Sequence, residues 1–108
     1  MSRLATIQQM LESNPKDSFL RFALAKEYEN ANNDQLAKTI YEGIITDDPE
    51  YVGTYYHLGK TLERLGQEAA AFKIYTVGMD ICKRLNEGHA RAELAGARLE
   101  LGDEEDFE

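Results

Sequence analysis

The chain has 108 residues, 43% hydrophobic and 30% charged, a composition that suits one soluble globular domain and argues against disorder. Its formal charge of −8 comes from 12 basic and 20 acidic side chains, and five of the acids sit in the last six residues, DEEDFE, without which the body carries only −3. A mildly acidic body lacks the cationic footprint of a nucleic-acid binder or a polybasic membrane-surface site, and no apolar run approaches the length of a membrane span.

Only two prolines, Pro15 and Pro49, and no alternating β-branched runs point to an all-α fold. The first predicted helix, 2–13, carries Leu4, Ile7, Met10 and Leu11 at helical spacing and stops before Pro15. The second, 18–31, takes Asp17 as N-cap, and the third, 34–47, takes Asp34. The fourth, 51–65, ends at Gly66. The fifth, 67–86, runs on through MDICKRL without a proline and ends near Gly88. The sixth, 89–101, ends at Gly102. The N-terminal residues lack a basic stretch followed by an apolar one. Cys82 is the single cysteine, which leaves no disulfide framework or Cys-based zinc site within one chain; a reducing, cytoplasmic setting is expected.

The sequence repeats itself. The two prolines lie 34 residues apart, and at the same offset Leu24, Lys26, Glu29, Ala37 and Tyr41 match Leu58, Lys60, Glu63, Ala71 and Tyr75. The positions are those that a helix–turn–helix unit needs. A small residue, Ala25 or Gly59, lets the partner helix approach, and Ala37 or Ala71 does so from the second helix. Ile7, Met10, Leu11 and Pro15 precede Tyr41, Ile44, Ile45 and Pro49 by 34 residues, so the first helix reads as a second helix without its partner. Near the other end, Arg91-x2-Leu94-Ala95-x2-Arg98 and Leu101-Gly102 follow their counterparts around Tyr55 and Leu65-Gly66 by 36 residues; the fifth helix is therefore expected to be about two residues longer than usual.

This pattern resembles the tetratricopeptide repeat family, whose 34-residue signature reads W-x2-L-G-x2-Y…A-x3-F…P. The second unit reads Tyr55-x2-Leu58-Gly59-x2-Leu62, then Ala71-x3-Tyr75. The first reads Arg21-x2-Leu24-Ala25-x2-Tyr28, then Ala37-x3-Tyr41 and Pro49. Arg21 departs from the leading aromatic, and Lys83 stands where the second unit's proline would be. The resemblance implies a short right-handed α-solenoid of antiparallel helix pairs, about six helices in all. It divides into a single repeat domain, 1–102, and an acidic tail, 103–108, expected to be disordered. Within the domain lie an N-terminal half-repeat (1–16), repeat 1 (18–51), repeat 2 (52–87) and a C-terminal half-repeat or cap (88–102).

No combination of residues makes an enzyme site. His57 and His89 stand in separate predicted helices without metal-ligand spacing, and Cys82 reads as an apolar filler. Gly59 resembles a packing glycine, since no Gly-rich loop precedes a lysine and hydroxyl as phosphate binding needs, and the spacing of the acids singles out no acid–base pair. No cofactor and no metal is expected. Off the packing stripe, Phe22, Lys26 and Glu29 share a face of one helix, and Tyr56, Lys60 and Glu63 repeat it 34 residues on. The family resemblance implies that these helices line the concave groove where a peptide or partner helix docks. Phe22 and Tyr56 would offer apolar contact, while Lys26 and Lys60 would attract a carboxylate or acidic peptide. Ala92, Gly96 and Leu99 would complete that groove. Lys26 and His57 occupy the places where some family members carry the asparagines of a carboxylate clamp, so binding of a chaperone tail is not assigned.

The reading is a non-catalytic protein–protein interaction module with a protein or peptide partner, and no nucleic-acid or membrane partner. The alternative is a structural repeat module that self-associates into a homo-oligomer, and a third is an enzyme accessory domain. For the tail, one expectation is docking on Lys26 and Lys60 of another copy or occlusion of its own groove.

Overall fold

A computed structural model of the chain describes residues 2–107; Met1, and Glu108 of the acidic tail, lie outside the described residues. Among the described residues there are six α-helices and no strand: α1 (Arg3–Ser13), α2 (Ser18–Asn30), α3 (Asp34–Asp47), α4 (Gly53–Arg64), α5 (Glu68–Leu85) and α6 (Gly88–Leu101). A 3-10 turn over Glu104–Phe107 follows. Every predicted helix forms, with its ends within two residues of the expected ones. At 18 residues α5 outruns the 14 of α3, as the longer spacing downstream of it implied. None of these helices is long and apolar enough to cross a membrane.

The chain divides into two compact units, Met1–Tyr51 with α1 to α3 and Val52–Glu108 with α4 to α6. Three of the helix ends close in the same way. Asn32, Gly66 and Asn86 adopt the left-handed conformation, at φ of 60°, 77° and 60°. The next amide then donates 2.8 Å to the carbonyl five residues back: Asn33 to Tyr28, Gln67 to Leu62 and Glu87 to Cys82. Asn86 rather than Gly88 therefore ends α5, and Gly88 begins α6. At the helix starts, Asp17 caps α2 by accepting from the Leu20 amide at 2.9 Å. Asn33, not Asp34, caps α3, accepting from the Leu36 amide at 3.3 Å. Asp34 becomes the first helical residue, where its charge favours the helix N-terminus.

In the first unit α2 packs on both α1 and α3, burying Ile7, Leu20, Ala25, Ala37, Tyr41 and Ile44. Ala25 and Ala37 are wholly buried, the small residues that the close approach requires. The start of α2 is tied to the end of α3: Lys16 and Arg21 reach Asp47 Oδ2 at 3.0 and 2.9 Å, and Ser18 donates to Asp48 at 2.6 Å. The hydrogen bonds from Lys16 and then Arg21 hold the Asp47 carboxyl below its ordinary range. Arg21, in the place of the family's aromatic, reaches over Gly43, where an added Cβ would meet its guanidinium.

In the second unit α5 packs on α4 and α6, and α4 also touches α6. Tyr55, Leu58, Leu62, Ala71, Tyr75, Cys82, Leu94 and Ala97 are buried. Two glycines make this packing possible. A Cβ on Gly59 would fall among the ring atoms of Tyr75, and one on Gly78 would lie 2.6 Å from Tyr55 Cβ and 2.9 Å from Leu94 Cδ1. Tyr55 thus lies across Gly78 much as Arg21 lies across Gly43, so both units fit their leading side chain to a glycine of the second helix.

Candidate functional site

A fully buried tyrosine contributes a large apolar ring but must satisfy its phenol. Tyr41 and Tyr75, each 0% exposed, donate to Glu29 Oε2 and Glu63 Oε2. The same bond therefore occurs once in each unit, at the repeat offset, from the second helix to the first. Burial, and after it the bond to Glu63, push the Tyr75 phenol well above its ordinary value of 10.0. Glu29 and Glu63, expected on a ligand-facing surface, are thus also engaged in holding the helix pair.

On α2, Phe22 is half-buried, its ring 5.7 Å from both Tyr41 and Tyr51 in tilted contact. Tyr41 therefore gathers Phe22 and Glu29, one at its ring and the other at its hydroxyl. Lys26 is exposed on the turn between them. Burial, then Asp17 and Asp48, raise the neighbouring Tyr51 phenol.

On α4 the three expected residues meet directly. Lys60 Nζ stands 5.7 Å from the centroid of the Tyr56 ring and 3.8 Å from Glu63 Oε2. Tyr56 and Lys60 of α4 and Ala92, Glu93, Gly96, Ala97 and Glu100 of α6 line an open cleft of about 190 Å³. An added Cβ on Gly96 would meet nothing, so the cleft floor is bare there. Ala92 and Gly96 lie in this cleft as expected, whereas Leu99 lines a different recess with Phe72, Ala95 and Arg98. Glu93 and Glu100 line the same cleft and Glu63 lies within ion-pair reach of Lys60, so acid outweighs base around the lysine. A carboxylate meets less attraction here than Lys60 alone suggested.

The His57 and Tyr56 rings stand nearly perpendicular, 5.6 Å apart, and the His57 carbonyl accepts from Thr61 Oγ1 at 2.8 Å. His89 lies 3.3 Å from Glu93 on the surface of α6. Burial, and then Glu87, raise the Cys82 thiol, the opposite of activation as a nucleophile. A feature that sequence reasoning missed is Phe107, stacked on Phe72 at 4.7 Å; the lone aromatic in an acidic run was its only signal. Among the described residues no tail residue lines the Lys60 cleft.

No protein-family model matches the chain, and no curated protein matches it by sequence. Solved structures do. The crystal structure of a tetratricopeptide repeat domain protein from Salinibacter ruber is 38% identical, with a TM-score of 0.75 over 79% of this chain and 94% of that one. A solution structure of such a domain from the same organism gives 38% identity and a TM-score of 0.77, over 81% and 88% of the two chains. A protein from Bordetella parapertussis shares the fold at 24% identity, with a TM-score of 0.82 over 94% of this chain and 88% of that one.

Proposed function

Because the chain belongs to the tetratricopeptide repeat family, a family of protein-interaction modules, we propose that it is a non-catalytic adaptor. It receives a peptide or helix of a protein partner on Phe22, Lys26 and Glu29 of α2 and on Tyr56, Lys60 and Glu63 of α4. The observation that carries this reading is the α4–α6 cleft: an aromatic wall, a bare glycine floor and charged rims, with Gly96 making no packing demand of its own. The test compares capture of specific partners by the parent chain, Phe22→Ala/Lys26→Ala and Tyr56→Ala/Lys60→Ala. Loss of a partner in either variant, with helical circular dichroism kept, is the expected result. Retention of every specific partner by both folded variants refutes the assignment.

A second reading, self-association, draws on a different surface. Phe19 and Met10 are 67% and 50% exposed and share an apolar recess between α1 and α2 with Ile7, Leu20 and Ala23. If this reading holds, light scattering finds a concentration-dependent mass for the parent and a lower one for Phe19→Glu.

A further inference from the structure

Beyond Gly102 the acidic segment folds back on the helices. Gly102 sits at φ 155°, and a Cβ there would come 2.8 Å from Asp106 Oδ2 and 2.9 Å from Phe107 Cε2. The turn is held from within: Asp106 Oδ2 accepts from the Asp103 amide at 2.9 Å, and Asp103 Oδ1 accepts from the Glu105 amide at 3.0 Å. This geometry delivers Phe107 onto Phe72 of α5, the rings stacked at 4.7 Å and 21°. The Arg98 guanidinium of α6 also lies over the Phe72 ring, at 5.1 Å, while donating to Thr76 Oγ1 at 3.0 Å.

The face beneath is apolar with cations at its margin. Glu104 and Phe107 share one recess with Ala69, Phe72, Lys73, Thr76 and Val77. Asp103, Glu104 and Glu105 share another with Phe72, Ala95, Arg98 and Leu99. Leu99 remains 77% exposed and Val77 37%, so the tail covers the face only in part. In the 36-residue frame that aligns Gly102 with Gly66, Phe107 falls at the place of Ala71, a wholly buried residue of α5. The tail begins where the second helix of a further pair would begin, and offers one ring in its stead.

We propose that this α5–α6 face is a second docking surface, separate from the Lys60 cleft. It takes acidic segments bearing an aromatic side chain, and residues 103–107 are its resident occupant. Charge complementarity selects this occupant: Lys73 and Arg98 border the surface, and the segment that sits there carries four carboxylates beside its single ring. Because the tail is tethered, it competes at a high effective concentration, so an external segment of the same kind must displace it. The tail is a latch on the site as well as its template.

The probe is the free peptide DEEDFE, added to the parent chain, to a chain ending at Gly102 and to full-length Phe107→Ala, with nuclear magnetic resonance shifts of Val77, Ala95 and Leu99 methyls as the readout. Saturable shifts are expected in the truncated chain and in Phe107→Ala, with the parent requiring at least about tenfold more peptide for the same shift. The peptide DEEDAE should give none, and NQQNFQ should bind more weakly at low salt. No saturable shift in Phe107→Ala, equal titration of parent and variants, or equal binding of DEEDAE overturns the proposal. Should the truncated chain fail to fold, full-length Phe107→Ala decides alone.

Discussion

One substitution made at two glycines should have opposite effects. Gly59→Ala puts a methyl where the Tyr75 ring stands, at a buried glycine of α4 against a wholly buried ring of α5. The ring cannot swing aside without giving up its bond to Glu63. Overpacking of this kind costs about 1–3 kcal/mol, and three ring atoms rather than one are in the way, which places the cost toward the upper end. Replacing a helix-interior glycine by alanine returns about 1 kcal/mol of helix propensity. The net expectation for Gly59→Ala is a loss of about 1–2 kcal/mol.

Gly96→Ala receives the same propensity gain with nothing to oppose it, since its added methyl meets open cleft. It should be more stable than the parent by up to about 1 kcal/mol. The two variants then differ by about 2–3 kcal/mol, which in a chain of this size separates their melting temperatures by about 10 °C or more. Thermal and urea unfolding followed by helical circular dichroism measure both. If Gly59→Ala is as stable as the parent, the close packing of Tyr75 is misread; if Gly96→Ala is destabilised, the bareness of the cleft floor is.

Tyr41→Phe and Tyr75→Phe each remove a phenol bonded to a carboxylate, and each should cost about 1.5 kcal/mol by urea midpoint, the low end for a charged acceptor because Glu63 keeps contact with water and Lys60. Their costs should match closely, since they are one bond repeated. The Tyr75 phenol is raised in the folded state, so its contribution is full below the ordinary value of 10.0 and is lost as pH rises above it while the unfolded chain ionises; Tyr75→Phe should flatten that alkaline loss in a pH series of unfolding curves. Thr54 Oγ1 is buried without a hydrogen-bond partner among the described residues, so Thr54→Val should leave stability equal or raise it by up to about 1 kcal/mol, and a clear loss by urea midpoint would contradict that accounting.

What sequence could and could not reveal follows from the range of the interactions. Helix existence rests on local periodicity and punctuation, and all six helices were legible from it. The exact turn residues were less so, because Asn33 and Asp34 are adjacent polar caps and Asn86 lies two residues before a more conspicuous glycine. The contact of Phe107 with Phe72 joins residues far apart in sequence, and a lone aromatic in an acidic run does not name its partner, so the tertiary structure is needed to find it.

The repeat identities themselves carry a sharper lesson. Glu29 with Glu63 and Tyr41 with Tyr75 are matches at one offset, and a helical wheel assigns the acids to a surface and the tyrosines to a core. A tyrosine side chain is long enough to defeat that division, crossing from the core to the carboxylate at its edge. The two identities in each unit are therefore two ends of one interaction. Their recurrence is explained by the scaffold before any ligand is invoked. On the proposed function, recognition would rest on the different settings of these side chains: exposed Lys26 beside a wedged Phe22 on α2, and on α4 a Lys60 near both Tyr56 and Glu63 in an acidic cleft. A partner that uses both faces meets two unlike surfaces, so the Phe22/Lys26 and Tyr56/Lys60 variants should weaken it unequally, with the α2 pair the more sensitive to salt.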